Sequence, residues 1–141
     1  MRTIKFRAMR NNGKWVIGNY VHHFISYFDT IERHSIFLSK SENDNGGHWM
    51  EDIITKTIGQ FTGLYDKDGK EIYEGDILKW GKGRLYVVKF LDGMFYASVE
   101  ECNEGILGGF PLHRLTEYED EKCEIVGNIF DNPELMKGFE K

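Results

Sequence analysis

The sequence predicts a small, mainly β protein: a β-hairpin lobe followed by a small barrel or rolled sheet, with one short helical turn near the end. Three observations predict this class. Short segments alternate apolar and polar residues, as Ile4, Phe6 and Ala8 do around Lys5 and Arg7, which is the period of a strand with one buried face. Glycine, asparagine and aspartate recur between these segments, where chain reversals need them. Helical signals are scarce until "DNPELMKG" (Asp131 to Gly138), where Asn132 suits a cap, Pro133 a first helical position and Gly138 a stop.

The elements follow in order. "TIKFRAM" and "WVIGNYVHHF" form a hairpin about "RNNGK", because Asn12-Gly13 reaches positive φ at little cost. That hairpin sets Lys5 and Arg7 on its outer face. "SIFLS" reads as a strand, and the polar stretch of residues 39–52 reads as an exposed loop. "DIITKTIGQF" has helical spacing at Ile54, Ile58 and Phe61, but its isoleucines and threonines favour strand. "DILKW", "RLYVVKF", "MFYASVE" and "CEIVGNIF" are further strands, with Gly127 marking a bulge or a close backbone approach. "CNEGILGGFP" reads as a glycine-rich connection. Turn residues multiply near residues 57–63, which places a seam between an N-terminal lobe of residues 1–60 and a barrel lobe of residues 61–141.

The totals limit the function. A chain of 141 residues holds one compact domain or two small ones, and 14% aromatic residues supply large buried areas. No apolar run approaches the ~20 residues of a membrane helix, and "MRTIKFRAMR" lacks a signal-peptide pattern. The expectation is a soluble cytoplasmic protein, not a membrane protein, with Cys102 and Cys123 as free thiols. The net charge of −5 hides an asymmetry: five cations and no acid precede Asp29, so the remainder carries −10. "TEYEDEKCE" (Thr116 to Glu124) concentrates acids near the other end. Overall acidity disfavours non-specific DNA binding, which needs many cations.

"LYDKDGKEIYEGD" (Leu64 to Asp76) looks at first like a calcium loop. Neither register works. Counting from Asp66 puts Glu71 at the glycine position, and placing Gly69 sixth puts Gly75 where a bidentate glutamate belongs. Asp66 and Gly69 instead fit a tight turn, and Gly75 a sharp entry into the next strand.

These residues carry a resemblance. "IGQFTGLYDKDGKEIYEGDILKW" and "EIVGNIFDNPEL", together with the opening "KFRAMRNNGKWVIGNYV", resemble the YopX family of phage and prophage proteins. The resemblance spans nearly the whole chain, although residues 81–122 match no motif. It implies an SH3-like barrel for the C-terminal lobe and a phage origin. It implies no activity, catalytic residue or cofactor.

Candidate chemistry is sparse. His22-His23 is the most tempting pair, but neighbours on a strand point to opposite faces, so a metal site would need His34, His48, His113 or a cysteine. No ligand spacing supplies one, and no metal or cofactor is expected. Glu71 with Glu74, or Glu100 with Glu101, sit in turns and arise readily among 23 acids, so no catalytic pair is assigned. The cysteines lack a CxxC, and "GKGR" and "GGF" are not phosphate loops.

The reading is a non-enzymatic module that acts through protein partners or self-association, its basic hairpin meeting the acidic segment of another copy. Its partner-binding candidates are Lys5, Arg7, Arg10 and Lys14 on the hairpin, and Arg84, Tyr86 and Lys89 on the barrel. The alternative is a nucleic-acid-binding accessory protein that uses the hairpin cations and barrel aromatics.

Overall fold

The structure is a computed structural model and describes residues 1–24, 32–38, 50–99 and 108–139. It is mainly β, with two antiparallel sheets. The chain divides into two compact units, Met1–Phe61 and Thr62–Lys141. Among the described residues, no helix is long and apolar enough to cross a membrane.

In the first unit, β1 (Phe6–Met9) and β2 (Trp15–Phe24) form the hairpin, with Met9 opposite Trp15. β3 (Glu32–Leu38) pairs along β2, and β4 (Met50–Asp52) pairs with β3. β5 (Gly59–Tyr65) begins beside β1, giving the order β4-β3-β2-β1-β5. Alternation sends Ala8, Val16 and Ile36 into the core, where Phe6, Tyr20, Leu38, Ile53 and Ile58 pack on them. At Gly18 the cross-strand carbonyl oxygen of Phe37 occupies the place a Cβ would take, so only glycine fits.

Two expectations for this unit change. The loop expected over residues 39–52 fails at its far end, because Met50–Asp52 is a strand; residues 39–49, with His48, lie outside the described residues. "DIITKTIGQF" is not one strand: Thr55–Thr57 is a 3₁₀ turn before β5. The Thr57 hydroxyl donates to Ile54 O at 2.6 Å and accepts from Met9 N at 2.8 Å, and these bonds hold that turn against β1.

In the second unit, the latter half of β5 and β6 (Glu71–Tyr73) flank the "DKDG" turn. β7 (Asp76–Trp80), β8 (Arg84–Leu91), β9 (Met94–Val99), β10 (Gly108–Pro111) and β11 (Glu124–Asn128) form a sheet in the order β10-β9-β8-β7-β11. β10 and β11 are its edges, so the ladder is open among the described residues. The core holds Ile72, Leu78, Tyr86, Val88, Ala97, Leu112, Leu115 and Cys123. Cys123 is a free, buried thiol; Cys102 lies outside the described residues. β11 carries a register irregularity between Ile125 and Gly127, and Asn132 presses on Gly127 where a Cβ would sit. The terminal helical turn is 3₁₀, Pro133–Phe139.

The "DKDG" segment is a turn tied to the sheet. Asp66 is 2% exposed. Its Oδ1 accepts backbone N–H bonds from Asp68 and Lys70, both at 2.9 Å, and its Oδ2 accepts one from Ile125 at 3.1 Å. Gly69 follows at φ +78°, a conformation that favours glycine. Asp76, equally buried, accepts from Tyr73 N at 2.8 Å. These carboxylates face backbone donors, as turn-stabilising acids do.

Candidate functional site

Alternation sets Lys5 and Arg7 on one sheet face, but the four hairpin cations do not form an open cationic plate. Arg7 pairs with Ile17 on the sheet face opposite the core, and its guanidinium lies 4.9 Å over the Trp15 ring. Lys5 Nζ lies 5.0 Å over Phe61. These are cation–π contacts, and they tie each charge to an aromatic ring. Arg10 Nη1 reaches Glu51 Oε1 at 3.5 Å. Lys14 is exposed at the turn.

The same face is apolar further along. Phe37 is the cross-strand partner of both Asn19 and Met50, and Ile17 lies diagonal to it. Ile17, Phe37 and Met50 are 39%, 39% and 42% exposed, a contiguous row across β2, β3 and β4. Isolated exposed apolar residues are ordinary, but a row of them beside Trp and Arg has the composition of a contact surface.

The candidates on the second unit do not stand together. Tyr86 is 5% exposed and packs within the core, its ring 6.1 Å from Trp80 and 6.3 Å from Phe110. Tyr86 itself is therefore not displayed for stacking, whereas Phe90 on the same strand is 49% exposed. Strand alternation also separates the charges. Arg84 shares the face of Tyr86, whereas Lys89 shares that of Val87 and Leu91. The acidic segment is displayed: Glu117, Glu119, Asp120 and Glu121 are all exposed, and Tyr118 between them is 62% exposed.

The structure assembles a cluster that residue order does not announce. His22 and His34 are direct cross-strand partners, and Glu32 lies two residues before His34, hence on the same face. Their imidazoles stack at 4.6 Å with 4° between planes. Glu32 Oε1 accepts from His22 Nε2 at 2.7 Å and lies 3.3 Å from His34 Nε2. Tyr20, two residues before His22, shares a 2.6 Å hydrogen bond between its hydroxyl and His34 Nδ1. One ligand atom from each of His22, Glu32 and His34 lies within 4.8 Å of the others. His23 takes the opposite face and lines a groove with Arg10, Arg33, Ser35 and Asp52.

His22 and His23 thus take opposite faces, as alternation requires. The readable signal was Glu32-x-His34, a two-residue spacing that keeps both side chains on one strand face. The missing fact was the register that brings His22 opposite.

The YopX protein family model matches residues 5–137. The chain belongs to the YopX family. A solved structure, protein EF1440 from Enterococcus faecalis, is similar with a TM-score of 0.58 and 24% identity, covering 96% of this chain and 99% of that one. That similarity speaks to the fold. No curated protein matches the chain.

Proposed function

We propose that this YopX-family chain is a non-enzymatic binding and assembly module that acts through protein–protein contacts, including contacts with its own copies. The row of Ile17, Phe37 and Met50 beside Arg7 and Trp15 carries the reading, because it combines exposed apolar area with anchored cations. The acidic segment of residues 117–124 offers complementary charge and an exposed tyrosine. A basic, apolar face that meets the acidic segment of another copy builds rings or chains when the contact runs one way, and a two-fold pair when it is reciprocal.

Other parts of the reading rest on kinship and strand order. A phage or prophage origin and a place in the host cytoplasm follow the family resemblance. An SH3-like barrel for the second unit is supported by the meander β7-β8-β9-β10 with β11 returned beside β7. A nucleic-acid role stands second: Tyr86 is buried, which leaves it to the hairpin cations and to Phe90, 49% exposed.

Light scattering tests the proposal. The wild-type chain should exceed the 16.5 kDa of one copy. Changing Glu117, Glu119, Asp120 and Glu121 to Lys, or Phe37→Glu, should return the mass toward one copy. A wild-type mass of one chain at every concentration sinks self-association, and an oligomer unmoved by either variant removes this contact.

A further inference from the structure

We propose that His22 Nε2, His34 Nε2 and a carboxylate oxygen of Glu32 form a solvent-open binding site for a divalent transition-metal ion of the Zn²⁺ class. The donor set is the first argument. Two neutral imidazoles and one carboxylate are a recurrent three-ligand set for Zn²⁺, with the remaining position left to water or another donor. Imidazole excludes the hard ions Ca²⁺ and Mg²⁺ as preferred occupants.

Geometry is the second. With bonds of about 2.0–2.1 Å, tetrahedral ligand atoms stand roughly 3.3 Å apart. His34 Nε2 and Glu32 Oε1 are already 3.3 Å apart, and His22 Nε2 is 2.7 Å from the same oxygen. An ion entering between them therefore needs the His22–Glu32 contact to open by roughly 0.6 Å. The stacked rings must also tilt, which the broad χ2 torsion of histidine permits at low cost. His22 and Glu32 are exposed, so the path from solvent is short.

The third argument is what stands behind the ligands. A ligating imidazole is usually fixed through its other nitrogen. Tyr20 Oη does this at His34 Nδ1. A hydroxyl both donates and accepts, so it satisfies Nδ1 before the ion binds and then accepts the Nδ1–H that coordination through Nε2 requires. Phe6 packs on the Tyr20 ring at 5.6 Å and Tyr20 joins the core, which ties this orienting group to the rigid part of the sheet. An ordinary surface histidine pair needs no such backing.

The experiment is calorimetric titration of the full chain, freed of metal with a chelator, with ZnCl2, read alongside histidine ring NMR. We expect saturable binding of one ion per chain with shifts at the His22 and His34 rings. His22→Ala and His34→Ala should each weaken binding at least 10-fold, Glu32→Gln should weaken it, and Tyr20→Phe should cost about 10-fold through lost orientation. His113→Ala should leave it unchanged. Absence of saturable binding overturns the site, as does wild-type affinity in the His22→Ala/His34→Ala double variant. If a variant fails to fold, the wild-type ring signals decide, since binding that leaves both rings unmoved also overturns it. Light scattering of the chelated chain keeps this result separate from the assembly reading.

Discussion

Replacing Asp66 by alanine should cost the second unit about 3–5 kcal/mol. Three backbone N–H groups, from Asp68, Lys70 and Ile125, converge on its two oxygens at 2.9–3.1 Å. Hydrogen bonds to a charged acceptor contribute about 1.5–3 kcal/mol each when partly buried, and a stranded buried donor costs about 1–3. Asp68 and Lys70 are exposed, so water recovers part of their loss, whereas Ile125 N–H lies within β11. Asp66→Asn keeps an oxygen for the two turn donors but points an amide N–H at Ile125, and should cost only about 1–2 kcal/mol. Urea unfolding gives both values from the shift in midpoint at constant slope. A loss under about 1 kcal/mol for the alanine variant would refute the structural role argued from these bonds. So would Ca²⁺ raising the wild-type midpoint but not that of the variant, since the carboxylate would then be serving a cation.

Two further outcomes follow from packing. Burial first, then the Asp66 carboxylate, raises the Cys123 thiol from 9.0 to about 11. The folded state therefore holds this proton longer than the unfolded chain, and its contribution is complete below pH 9 and fades between pH 9 and about 11. Thermal melts should show that decline, reaching about 2–3 kcal/mol, and Cys123→Ala should flatten it. In the first unit, Gly18→Ala should part β2 from β3 at the Phe37 carbonyl and lower stability by at least about 2 kcal/mol. A melting temperature equal to wild type would show that the strands yield there.

Local chemistry made part of this legible in the sequence. The β1–β2 hairpin followed from alternation at Ile4 to Ala8 and from Asn12-Gly13, and β7, β8 and β9 from short apolar and aromatic segments between glycine turns. Tertiary constraints hid the rest. β10 reads as a connection because of Gly108-Gly109, yet Gly109 is required in a strand: a Cβ there would stand 2.5 Å from Ala97 O. Thr57 breaks an apparent strand because its hydroxyl serves Met9 and Ile54 at once. The His22–Glu32–His34 cluster depends on cross-strand register, which residue order does not encode locally. Tyr86 resembled a display residue beside Arg84, but only the sheet's packing decides which side of a strand is inside.

The bond from Ile125 to Asp66 joins positions 59 apart in the chain. During synthesis, a ribosome that has made the early strands of the second unit has not yet made the donor that completes its first turn. Closure there must wait for β11 to emerge, so nascent chains stopped before that strand leave the Asp66 side chain short of one partner. Such a requirement favours late, all-at-once consolidation over stepwise addition from the amino end. It also makes the carboxyl-terminal strand an unforgiving place to shorten the protein.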